Sequence, residues 1–151
     1  MQHPLEITKV NRRTLLKFLE GYSLEQLNKV PDGFKNNIFW NIAHVVVTQQ
    51  LLFYKLSGQS MQIDDEMVAA YKKGTKTERP ASQEEVDHLK ELLFSTIDHT
   101  EIAIKEKLFT NYNEYATSTG FVLKSIEDAM HFNNFHEGIH LGYILALRKN
   151  I

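Results

Sequence analysis

Residues 125–148, SIEDAMHFNNFHEGIHLGYILALR, carry the pattern that decides the fold. Ser125 with Asp128 is a helix start, and Ile126, Ala129, Met130, Asn133, His136, His140, Ile144 and Leu147 then recur at three- and four-residue steps along one side. Arg148 and Lys149 suit the negative end of such a helix. The stretch is a long closing helix whose inward stripe includes two histidines.

The same reading extends upstream. Ser82 and Glu85 form a capping box after Pro80, and Val86, Leu89, Leu93, Thr96, Thr100, Ile104 and Leu108 follow at helical steps. Between Thr110 and Lys124, Asn, Tyr, Thr and Gly break the period, which predicts a loop with some extended chain around Tyr115 or Phe121. An earlier helix should start at Asn36 or Asn37 and run to Ser57-Gly58, because Trp40, His44, Val47, Leu51 and Tyr54 share one face. From Gly58 to Ala81 the chain is a polar connection with at most a short helix around Asp65 to Tyr71. The first helix covers Leu5 to Glu20, with Gly21 placed for a left-handed stop. Ser23 to Leu27 then forms a helical turn ahead of Pro31-Asp32-Gly33. Four long helices with a short first and a long second connection predict an all-α four-helix bundle, a single domain over 1–151, with the second and third helices parallel.

Composition narrows the function classes. The 151 residues are 42% hydrophobic and 24% charged, as in a folded enzyme or binding domain, and the formal net charge is -2 without a dense Lys/Arg run, which sets nucleic acid aside. There is no cysteine, so thiolate metal sites and a protein-borne sulfur nucleophile are excluded, and any thiol chemistry needs an external thiol. The N-terminus has no basic stretch followed by an apolar one and no segment approaches a membrane span, so the expected location is the cytoplasm.

Residues four apart on a helix are offset by about 40°, so His136 and His140 project together, one turn apart. Neutral imidazoles suit a divalent first-row metal and leave positions free for a third ligand and for water or substrate. Taken alone, such a pair is more often surface or core decoration. Of the other histidines, only His44 lies on an inward stripe of another helix, and it is the third candidate ligand. His131 turns about 140° away from His136, and His3, His88 and His99 lack a partner at ligand spacing.

His136-Glu137-Gly138-Ile139-His140 also matches the H-E-x-x-H motif of zinc metalloproteases, with Glu137 as general base. Yet Leu141 to Ile151 contain no His, Asp or Glu to serve as the usual downstream ligand. Glu137 is either a hydrogen-bond partner of a ligand ring or a surface salt-bridging residue, the latter favoured. Gly138 and Gly142 are read as sites of close helix packing. Asn41, Thr48 and Asn133 lie within a turn of the histidines, either to orient a substrate or to satisfy local hydrogen bonds.

Trp40-Asn41-Ile42-Ala43-His44 followed by His136-Glu137-Gly138-Ile139-His140-Leu141-Gly142 resembles the DinB-like metal-binding bundles over nearly the whole chain. The Pro31-Asp32-Gly33 turn and the long connection before the third helix belong to the likeness. The resemblance implies an up-down-down-up bundle, a divalent metal (Zn, Ni, Fe or Mn) on His44, His136 and His140, and a homodimer. Tyr143 stands where the family often has Gln, which removes no ligand. Some relatives are thiol-dependent transferases or isomerases, so the resemblance implies a thiol S-transferase acting on small electrophiles with a low-molecular-weight thiol as cosubstrate. A non-catalytic metal-binding or interaction bundle and a metal-dependent hydrolase stand as alternatives. No membrane partner is expected.

Overall fold

Backbone amides at the start of a helix have no partner within it, and polar side chains placed to accept them decide where the helices of this chain begin. The computed structural model describes residues 2–151. α1 spans Gln2–Gly21, the short α2 Leu24–Asn28, α3 Ile38–Gln50, α4 Asp65–Tyr71, α5 Gln83–Lys105 and α6 Ile126–Leu147. Ser82 accepts from the Glu85 amide while the Glu85 carboxylate accepts from the Ser82 amide at 2.8 Å, and Ser23 and Gln26 repeat this box at α2. Asn37 takes the Trp40 amide at 2.7 Å and Ser125 takes that of Asp128 at 3.1 Å. Each such cap contributes about 1 kcal/mol.

Some helix ends differ from the sequence reading. Gly21 closes α1 as its last helical residue and is not left-handed, whereas Gly58, at φ 69°, does take that conformation after the second long helix. α5 stops at Lys105, short of Leu108, where the chain turns through Lys107 at φ 56°. α3 passes without interruption into a π-helical turn, Leu51–Lys55. The loop before α6 holds a small antiparallel hairpin, β1 (Tyr115–Ala116) with β2 (Val122–Leu123).

Side-chain pairs fix the directions of the long helices. Asn28 bonds to Ala81 and accepts from Asn37 at its carbonyl, placing the starts of α3 and α5 at one end, and Gln49 reaches Thr100 farther along both. α3 and α5 are therefore parallel. Thr8 with Asn134 and Arg12 with Glu137 set α1 parallel to α6, while His44 with His136 and Asn41 with His140 set α3 antiparallel to α6. The result is the up-down-down-up bundle, and the residue 58–81 connection carries the chain back between the parallel pair.

α3 is buried on all sides from Ile38 through Val47, so it is the central helix of the bundle and not an amphipathic surface one. Leu15, Leu27, Ile42, Leu89, Leu93 and Ile144 pack in one core cluster, and Phe53, Leu123 and Met130 in a second at the other end. A fully buried side chain of this size contributes roughly 1.5–3 kcal/mol. Thr96 and Thr100 sit in the α5 face of the core with their hydroxyls bonded to carbonyls one turn back, at 2.7 Å each. Among the described residues no helix is long and apolar enough to cross a membrane.

Candidate metal centre

The antiparallel crossing of α3 and α6 brings His44, His136 and His140 together, with one ring nitrogen of each within 4.8 Å of the others. His44 Nε2 and His136 Nε2 stand 3.2 Å apart. Two imidazole nitrogens on one tetrahedral ion at about 2.0–2.1 Å stand roughly 3.3 Å apart, so this spacing fits shared coordination. His3, His88, His99 and His131 are exposed and take no part.

The second nitrogen of a ligand ring decides which tautomer forms. His44 Nδ1 donates to the Tyr71 carbonyl at 2.6 Å, and His140 Nδ1 donates to Asn41 Oδ1 at 2.8 Å. Both rings therefore keep Nε2 as the free lone pair. Tyr71 ends α4, so the long connection contributes an orienting group as well as a crossover. Trp40 stacks on the His44 ring at 4.7 Å and 11°. His136 Nδ1 is buried without a partner.

Electrostatics hold the trio neutral. Burial, then His140, His44 and the Arg12 guanidinium, push His136 down to about 2. Burial and then His44 push His140 down to about 4. Burial also lowers His44, against the opposing effect of its bond to Tyr71. A neutral imidazole is the form that ligates, so none needs to lose a proton near pH 7.

Glu137 corrects the sequence reading. It does form a salt bridge, but at 0% exposure it is inside the protein, where Arg12 Nη2 and Nε approach its Oε1 at 2.9 and 3.0 Å and Asn133 donates at 2.9 Å. It bonds to no histidine. A carboxylate committed to a buried guanidinium cannot serve as a general base, so the metalloprotease reading loses its catalytic group as well as its third ligand. Gly138 and Gly142 also differ from expectation: a Cβ at either would meet nothing within 4 Å, so neither packs against another helix of this chain.

A cavity of about 480 Å³ opens beside the histidines. Thr48, Leu51, Leu52 and Lys55 line it from α3 and the π turn, Phe132 from α6, Thr117 and Ser118 from the hairpin loop, and Lys73 from the long connection. Of the polar residues singled out from sequence, Thr48 faces this space, Asn41 orients His140 and Asn133 supports Glu137. Sequence reasoning missed Lys55, Lys73 and the Tyr71 carbonyl. Thr48, Leu51 and Lys55 follow His44 at helical spacing and could have been read as one stripe; nothing local marks the two groups from the connection.

A bundle with this topology and a three-histidine cluster between two antiparallel helices defines a class of helical proteins able to hold a metal ion. The profile of the DinB superfamily matches residues 7–144, and this chain belongs to that superfamily. No curated protein sequence matches it.

Proposed function

We propose that the chain is a divalent-metal-dependent thiol S-transferase that joins a small external thiol through its sulfur to a small electrophile, the thiol giving up its S–H proton and the electrophile either releasing a leaving group or taking up a proton, with His44, His136 and His140 as the metal ligands. The observation that carries this reading is the trio of neutral imidazoles, two of them held with Nε2 free, beside a cavity large enough for a small molecule. A divalent ion bound there would act as a Lewis acid, lowering the pKa of a thiol at one of its free positions so that thiolate forms near neutral pH.

The protein's own part is to fix the rings through Asn41 and Tyr71, and to present an apolar wall of Leu51, Leu52 and Phe132 that excludes water from the sulfur. Thr48 Oγ1 lies 3.4 Å from His44 Nε2, close enough to hydrogen-bond a group arriving at the histidines. No carboxylate lines the cavity among the described residues, so the residues around it supply no general base of that kind and activation of the nucleophile would fall to the metal. The absence of cysteine agrees with an external thiol, and a cytoplasmic setting, where thiols stay reduced, goes with this reading.

Elemental analysis of the purified protein, thermal unfolding before and after chelation, and a screen of thiols against model electrophiles test it. A resident ion held at a hundredfold excess over its Kd stabilises by about 2.7 kcal/mol, so chelation should lower Tm by roughly 5 °C or more. Bound metal without turnover or thiol affinity makes the protein a non-catalytic metal-binding bundle, and the transferase reading fails.

A further inference from the structure

The cavity beside the histidines has a second chemical feature that metal and thiol leave unexplained. Lys55, at the end of the π turn, and Lys73, from the connection, both line it and both are exposed. Neither forms an ion pair among the described residues, although Lys9, Arg12, Arg79 and Lys90 do. Among the described residues no Asp or Glu lines the cavity, so a chain of net charge -2 places only positive charge around this space. Leu51 and Leu52 come between His44 and Lys55 along the helix, and Leu56 and Phe132 add to the apolar lining. His44 and Lys55 share one face of a continuous helical segment, and the rise per residue separates their Cα atoms by about 16 Å along its axis.

We infer that this cavity takes an elongated small molecule with an anionic end, a carboxylate or similar group, held at the rim by Lys55 and Lys73, an apolar middle against Leu51, Leu52, Leu56 and Phe132, and its coordinating end at the histidines. The inference rests on the metal and thiol reading for which group meets the histidines, but the lysine end is read out separately. An anion gains from two cations partly screened by solvent, while a neutral end gains nothing and a cation is repelled. Field focusing in a cleft walled by apolar groups also raises the capture rate of anions.

Calorimetric titration of the zinc-loaded full chain with 8-mercaptooctanoate, 8-mercaptooctanol, 8-aminooctanethiol and plain octanoate tests it. The mercapto acid should bind about five- to tenfold tighter than the alcohol at low salt, with the amine weakest. That preference should fall to within about twofold in the K55Q/K73Q double variant, which removes two exposed charges and should leave Tm unchanged, and it should shrink in about 0.5 M salt. Equal binding of acid and alcohol, a preference for the amine, a preference that survives the double substitution, or no binding of any probe at millimolar concentration overturns the inference. Octanoate binding as tightly as the mercapto acid, with the same dependence on the lysines, upholds the anionic end and overturns the thiol reading instead.

Discussion

A neutral imidazole offers one lone pair, so the group bonded to its other nitrogen decides where that lone pair points. Asn41 plays this part for His140, and its own Nδ2 is anchored on the Asn37 carbonyl at 2.8 Å, which keeps the amide from turning. Asn41→Ala should weaken metal affinity about 10- to 100-fold, measured by competition with a chromogenic chelator; unchanged affinity would mean that His140 needs no orienting partner. The depressed histidines also give the metal-free protein a defined pH dependence. An ordinary histidine near 6.5 in the unfolded chain takes up a proton well before His140, at about 4, or His136, at about 2, does so in the fold. Between those values the unfolded state binds more protons, so the stability present above about pH 6.5 is lost as pH falls. Glu85, held at about 2 by Arg79, adds its own loss only below the ordinary carboxylate range. Tm of the chelated protein should drop by about 5 °C from pH 7 to pH 5, and a flat profile across that window would contradict the burial of the rings.

α1 and α6 meet through a buried ion pair, and this contact was not legible in the sequence. The start signals were: Ser82 with Glu85 and Ser125 with Asp128 are local chemistry, and a cap needs only neighbours a turn away. His136 and His140 were legible for the same reason, since a four-residue spacing sets a common face. Arg12 and Glu137 lie 125 residues apart, and only the parallel docking of the first and last helices makes them partners. The π turn at Leu51–Lys55 escaped as well, because its apolar residues satisfy a helical period whichever hydrogen-bond ladder they adopt. At 0% exposure on both sides, the Arg12–Glu137 pair is costly to break by halves. Arg12→Met leaves Glu137 charged and enclosed, and should cost about 3–5 kcal/mol in urea unfolding. Adding Glu137→Leu should recover most of that loss. A single substitution costing under about 1 kcal/mol would show that Asn133 alone suffices to hold the carboxylate.

Across the whole molecule, the outward face of α6 is the surface that the fold leaves least explained. Phe135, Ile139 and Tyr143 are 54%, 43% and 52% exposed at four-residue steps, with the uncovered Gly138 and Gly142 beside them. From Phe135 to Leu147 the only charged residue is Glu137, which points inward to Arg12. A contiguous apolar strip of this kind exceeds the scattered single side chains normal for a monomer surface. We propose that a second copy covers it, the bare glycine backbone letting the α6 helices of two chains cross closely while the aromatic rings pack on either side. The homodimer implied by the family resemblance agrees with this, and a self-complementary face is what a two-fold interface requires. Sedimentation equilibrium should give twice the 17.5 kDa of the chain at micromolar concentration. Ile139→Glu, on an exposed position that carries little of the monomer's stability, should shift the mass to that of one chain while leaving the helical circular dichroism unchanged. A wild-type mass of one chain across the accessible concentration range would leave the strip free for a different partner.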